Sequence, residues 1–330
     1  MRMIFGLCVA WLVLQSLGCG RATLVVGIGA GDQRLTETTV LKETKARGNQ
    51  VALIDVSGML TTAEQRGFLS AESSPVSGFT EALNKAANDD DVKAVVVRIN
   101  SPGGTVTASD IMYRELLRFR SNTGKPAVAS MMDLATSGGY YLACGADTIV
   151  AHPTTVTGSV GVILQTVSVK PALSKLGVEA RAFTSGDNKD AGSPLSSLTE
   201  DQAETLQALV DDFYERFTRV VRQRRPELPA EVFDQATDGR VVTGVQALEW
   251  QMVDRLGGLR DAFTEAKRLA NVERADLVRY HRPLEAPGSI YAASPTTPSD
   301  GGVDVSLLRI DGAFLQQTPG AYYLWTGELP

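Results

Sequence analysis

Val92-Lys93-Ala94-Val95-Val96-Val97-Arg98-Ile99-Asn100-Ser101-Pro102-Gly103-Gly104 is a valine-dense run that ends in a sharp turn. The first eight residues read as a strand buried on both faces. The Ser-Pro-Gly-Gly that follows supplies turn chemistry. Residues 105–120 then read as an amphipathic helix, with Ile111, Leu116 and Phe119 on its apolar side. Residues 126–132 form the next strand. Upstream, Val51-Ala52-Leu53-Ile54-Asp55-Val56 is another buried strand, closed by Ser57-Gly58. Between the two strands, Phe79, Leu83, Ala86 and Ala87 recur at helical spacing, and Asn88-Asp89-Asp90-Asp91 ends that helix. Strands alternating with helices, the strands apolar throughout, predict an α/β domain.

The same reading extends downstream. Thr199 and Gln202 form a capping box. Behind it Leu206, Leu209, Val210, Phe213, Phe217 and Val220 make an apolar stripe expected to face the core, stopped by Pro226 and Pro229. Residues 243–250 and 259–270 read as two further helices. From 282 onward Pro, Ser, Thr and Gly dominate, as in a flexible linker. Residues 303–310 are expected to form one edge strand. Ala321-Tyr322-Tyr323-Leu324-Trp325 is too aromatic to be left in water and is expected to pack on the domain or on a neighbouring copy. The division that follows is an extension at 19–50, a domain at 51–281, and a linker with an aromatic tail at 282–330.

The N-terminus reads as a targeting segment over residues 1–18. Met1-Arg2-Met3 is positive and residues 4–14 are apolar, a run too short to span a bilayer but suited to a secretory signal. Gly18-Cys19 resembles a bacterial lipobox, although Ser16 stands where leucine is usual. A lipidated Cys19 would hold the exported protein to a membrane of the bacterial envelope. Residues 24–28 are expected to be a short strand. Gly27-Ile28-Gly29-Ala30-Gly31 lacks dinucleotide spacing and reads as a flexible entry. Of three cysteines only Cys144 lies in the domain, so no disulfide framework is expected. His152 and His281 are the only histidines, which argues against a zinc site. A net charge of -6 without a long basic run argues against nucleic acid as a partner.

Chemistry concentrates at Met132-Asp133-Leu134-Ala135-Thr136-Ser137-Gly138-Gly139-Tyr140-Tyr141. A strand runs into Ser-Gly-Gly, and a helix begins there. The unpaired N–H groups of a helix start can hold a developing oxyanion. Ser137 is therefore a candidate nucleophile; the alternative is a plain serine N-cap. Neither histidine is well placed as its base. A lysine can serve if burial keeps its amine neutral, but spacing alone does not single one out.

Four stretches together resemble the bacterial signal peptide peptidase A family: residues 98–104, Ser137-Gly138-Gly139-Tyr140-Tyr141, Thr157-Gly158-Ser159-Val160-Gly161-Val162, and residues 185–194. Asp238-Gly239-Arg240-Val241 and Val253-Asp254-Arg255-Leu256-Gly257-Gly258 add to the likeness, which covers residues 51–272. The resemblance implies a crotonase-like, Clp-protease-like fold of repeated strand-strand-helix units in a single-domain chain. By position it makes Ser137 the nucleophile, Lys189 the general base, and Ser159 a serine that orients the lysine. Gly104 and Gly138 become the oxyanion-hole amides, with Gly103 permitting the turn. Thr136 departs from the small residue usual before the nucleophile. The implied activity is serine endopeptidase action on apolar extended peptides such as signal peptide remnants, with no cofactor or metal. A ring-like homo-oligomer is implied, each Ser and Lys coming from one chain while neighbours shape the groove. The rival readings are a crotonase-fold acyl-CoA enzyme and an inactive peptide-binding scaffold.

Overall fold

The computed structural model describes residues 34–63, 65–66, 71–72, 74–282, 289–292 and 321–326. The signal segment, Cys19, the 24–28 strand, the 27–31 glycines and the 303–310 strand lie outside the described residues.

Thr36–Leu41 (β1) and Gln50–Ser57 (β2) open the chain, followed by a hairpin of Gln65–Arg66 (β3) and Ala71–Glu72 (β4). Pro75–Ala87 (α1) is capped by the Ser74 hydroxyl, which accepts from Ser77 N–H. Its first turn, Pro75-Val76-Ser77-Gly78, lies ahead of the expected apolar period and sets Val76 against the core. Val92–Ser101 (β5) runs through the Ser-Pro-Gly-Gly turn into a second short strand, Gly103–Thr105 (β6), where a turn alone was expected. Val106–Thr123 (α2) is capped by Thr105 and ends on Gly124, whose φ of 68° lets the chain turn back.

Ala127–Thr136 (β7) leads into Gly138–Ala143 (α3), then Thr148–Ala151 (β8) and Val156–Gly158 (β9). An arm follows, with Lys170–Lys175 (α4) and the long Glu200–Arg224 (α5), which the expected Thr199–Gln202 capping box opens. Ala230–Ala236 (α6), Val241–Thr243 (β10), Gly244–Glu249 (α7), Arg255–Leu256 (β11), Leu259–Leu269 (α8) and Asp276–His281 (β12) complete the domain. Tyr322–Leu324 forms a last strand, β13.

The main sheet has the order β1-β12-β2-β5-β7-β8-β11. Along this path every pair is parallel except β1 with β12; off it, β9 runs parallel to β7 and β10 antiparallel to β9. Side chains alternate between its faces: Ala52, Ile54, Val95 and Val97 meet α1 and α2, while Val51, Leu53, Ala94 and Val96 meet α8. Both faces are covered, which explains the unbroken apolar strands. The strand-strand-helix repeat is visible in β5-β6-α2. It recurs as β2, the Leu60 bridge to Gly104, and α1. Opposite β5, β7 changes partner along its length: Val128–Met131 pair with β8, and Leu134–Thr136 pair with β9.

Three expectations shift. The sheet takes in β1, ahead of residue 51, because β1 pairs along β12. Residues 289–292 are no free linker. Arg98 donates to the carbonyls of Ile290 and Ala292, and Arg279 also donates to Ala292; both arginines pair with the partly buried Asp55. The α5 stripe is only half in the core. Phe217 and Val220 are buried, but Leu209 is exposed, because nothing among the described residues packs over the outer half of the helix.

Candidate active site

β7 delivers Ser137 into a strand-to-helix corner. Its φ of 52° with ψ of -114° is unusual for a residue with a side chain, a strain worth about 1–3 kcal/mol and typical of functional sites. Ser137 N–H donates to Gly158 O at 2.8 Å and its own carbonyl accepts from Tyr141 N–H. The hydroxyl caps nothing: it is buried and without a hydrogen-bond partner. A serine kept for capping would hold the N–H two or three residues on, so the N-cap reading does not account for Ser137.

Gly103, Gly104 and Gly138 converge on this corner. Gly103 has φ of 102°, and a Cβ there would lie 2.7 Å from Gly138 N. A Cβ on Gly104 would lie 1.9 Å from Leu60 O, and one on Gly138 would meet Ser109 Oγ at 2.3 Å. Only glycine lets these backbones close. Ser101, which sequence reasoning did not single out, stitches the turn: its hydroxyl donates to Gly58 O at 2.7 Å and accepts from Gly103 N–H at 3.1 Å.

Ser159 stands next to Ser137 across the β7–β9 ladder, because Thr136 pairs with Gly158. It too has a left-handed φ, 51°, and its N–H donates to Arg240 O. Lys189 is placed differently. It sits exposed on the arm, in a loop that Gln202 ties to α5 by bonds to Asp187 O and Asp190 Oδ1. The single chain brings Ser137, Ser159, Gly104 and Gly138 together but does not bond Lys189 to Ser137.

Other candidates are occupied elsewhere. His281 Nε2 pairs with Thr38 Oγ1 and His152 Nδ1 with Thr154 Oγ1. Cys144 is buried, and burial pushes its thiol up to about 11, so it is no thiolate near neutral pH. Among the described residues no three His, Cys, Asp or Glu side chains gather as a metal would need.

The groove over Ser137 is filled by the tail. β13 pairs antiparallel with β6, Tyr323 opposite Gly104. Trp325 N–H donates to Pro102 O at 2.9 Å and Val106 N–H to Ala321 O at 3.3 Å. Bonds two residues away on either side make Gly104 and Tyr323 the kind of pair that exchanges main-chain bonds. On its other edge Tyr322 exchanges two 3.0 Å bonds with Ile163. The Tyr323 carbonyl oxygen would lie 3.1 Å from a Cβ on Gly138. The Tyr323 ring is fully buried, stacked on Tyr141 at 5.2 Å and against Phe217 at 4.6 Å, and its hydroxyl donates to Phe213 O at 2.8 Å. Tyr141 is held in turn by Asp110, which Arg216 clamps. The expectation that the aromatic tail packs on the domain holds; the aromatic composition signalled burial, but not where.

Residues 120–273 match Peptidase family S49. The chain is 31% identical over 250 residues to the "Putative signal peptide peptidase SppA" of Enterococcus faecium, covering 76% of this chain and 72% of that one. It is 32% identical over 241 residues to "Serine protease SPPA, chloroplastic" of Arabidopsis thaliana, covering 71% of this chain and 35% of that relative. Among solved structures it is similar to the 1510-N membrane-bound stomatin-specific protease, with a TM-score of 0.43 and 14% identity, covering 66% of this chain and 84% of that one.

Proposed function

Because the chain belongs to peptidase family S49 and the signal peptide peptidase A family, we propose that it cuts peptide bonds with Ser137 as nucleophile and Lys189 as general base. It is a serine-type peptidase; the dyad is our assignment. The observation that carries it is the buried, unpartnered Ser137 hydroxyl on a strained corner ringed by Gly103, Gly104 and Gly138. An unsatisfied buried hydroxyl costs free energy, and chemistry is a reason to keep one.

In this reading Lys189 takes the Ser137 proton and the oxygen attacks the scissile carbonyl. The Gly104 and Gly138 amides hold the oxyanion. Lys189 passes the proton to the departing amine, and water then frees the acyl group. Ser159 orients the lysine. A lysine acts as a base only once taken out of water. Assembly can supply this: the arm carrying Lys189 also displays Leu176, Val178, Phe183 and Leu209, and a second copy covering them would dry the lysine too. Extended apolar peptides, such as signal peptide remnants, suit a groove that bonds main chain on both edges.

The reading places the enzyme outside the cytoplasm, tethered through Cys19. Its support is the apolar 4–14 run before Gly18-Cys19; no helix among the described residues is long and apolar enough to cross a membrane. Peptide hydrolysis tests the dyad. Ser137→Ala and Lys189→Ala should each lose at least about 10³-fold in kcat/KM, and undiminished activity in either removes that residue from its role. Mass spectrometry of the same preparation should find lipid on an N-terminal Cys19.

A further inference from the structure

Resting on the assignment of Lys189 as base, we propose that Gln202 is a positioning residue for that lysine. Its side-chain amide fastens the loop that carries Lys189 to the first turn of α5.

Gln202 is 4% exposed, on an arm whose residues mostly face solvent. Its amide group is fully used. Oε1 accepts from Thr199 N–H at 3.2 Å, closing the capping box. Nε2 donates to Asp187 O at 2.6 Å and to Asp190 Oδ1 at 3.0 Å. The amide can point only one way, because Thr199 N–H needs an oxygen and Asp187 O needs a donor. The two loop partners stand on either side of Lys189 in the chain.

A capping box needs only the oxygen, and glutamate supplies it as well as glutamine does. The nitrogen is the part that capping leaves unexplained, and it carries both bonds to the lysine loop. The loop shapes itself by overlapping turns: Lys189 N–H donates to Gly186 O, Ala191 N–H to Asn188 O and Ser193 N–H to Asp190 O. Such turns bend the segment without setting where it points relative to α5. Asn188 Nδ2 also donates to Asp201 Oδ2 at 3.1 Å, but that bond is exposed and competes with water. The Gln202 bonds are sheltered.

A general base works within hydrogen-bond reach of its proton, and a small displacement of a catalytic group is costly in rate. α5 is the rigid element at hand. Its far half is anchored on the domain, by Arg216 to Asp110 and by Arg224 to the carbonyls of Cys144 and Ala146. Gln202 joins the lysine loop to the near end of this anchored helix, so Lys189 is held before substrate arrives.

Gln202→Glu separates the two duties. The carboxylate still accepts from Thr199 N–H, so α5 keeps its start, but it cannot donate and it faces the Asp190 carboxylate. Peptide hydrolysis by the full chain should lose at least about tenfold in kcat, with KM changed less than about threefold and the melting temperature within about 3 °C of wild type. Adding Asp190→Asn offers the new carboxylate a donor, reverses the polarity of the bond and should raise kcat again by at least about fivefold. Hydrogen exchange across residues 187–193 should quicken at least about tenfold in Gln202→Glu and slow again in the double variant, with the later turns of α5 unchanged. Wild-type kcat in Gln202→Glu, in a chain that Lys189→Ala inactivates, overturns this proposal alone. So does a loss that Asp190→Asn leaves unrepaired, or a Gln202→Glu chain that unfolds, since the helix start is assigned to the oxygen that glutamate retains. Undiminished activity in Lys189→Ala overturns it together with the dyad.

Discussion

Gly104 shows how little room the corner leaves. Its backbone is pressed on Leu60, whose N–H donates to Gly103 O and whose carbonyl accepts from Thr105 N–H. A methyl group at Gly104 would overlap the main chain of Leu60, not the end of a flexible side chain. Backbone must therefore move, at a cost of roughly 1–3 kcal/mol, and the Gly104 amide moves with it. Gly104→Ala should lower the melting temperature by several degrees and peptide hydrolysis by about 10²-fold or more. An alanine variant with full activity would deny this amide its role. Ser137 is the complementary case, since its left-handed φ is held by a strand pair on one side and a helix start on the other.

At the scale of elements, α8 is fixed to the sheet by charge as well as by its apolar face. Glu265 is buried and bonded by Arg268 from its own helix and by Arg255 of β11, while Thr148 of β8 lies within reach. The Arg268 bond, ahead of burial and the other charges, holds the Glu265 carboxyl below the usual carboxylate range. A carboxyl depressed on folding stabilises the fold above its unfolded value, and that contribution is lost as pH falls through the folded value. Glu265→Gln should therefore cost about 1–2 kcal/mol near neutral pH, and less as the medium becomes acid. Urea titrations from pH 7 down to 3 read this; an unchanged gap between the two proteins across that range would contradict it. The Asp55, Arg98 and Arg279 cluster does similar work at the other end of the sheet, binding β2, β5 and β12 to residues 290–292.

For the whole molecule, the arm is the unresolved half of the packing problem. Phe183 is 97% exposed and Leu176 77% exposed, large apolar surfaces that a lone soluble chain rarely carries together. The outer part of α5 repeats the pattern with Leu209 and Tyr214. Covering them with further copies is the reading that also dries Lys189. Leu176→Asp with Phe183→Asp should shift the mass seen by light scattering toward the monomer and reduce peptide hydrolysis at least tenfold. A monomeric wild type would remove assembly from the account. Mixing Ser137→Ala with Lys189→Ala chains adds a finer reading: regained activity means that each site draws on two chains.

Much of this was legible in the residues. Valine-dense runs broken by polar turns implied strands covered on both faces, and the Thr199–Gln202 box marked a helix start correctly, because period and capping are local properties. The Ser137 corner showed itself as a strand meeting Ser-Gly-Gly. Lys189 came only through its resemblance, since a base is defined by dryness and reach, which spacing does not encode. Other features required the tertiary structure. β13 finds β6 across most of the chain, and main-chain pairing of that kind leaves no mark on composition. The aromatic residues of the tail signalled that they would be buried; the slot between Tyr141 and Phe217 exists only once α2, α3 and α5 have come together, and that packing decided where.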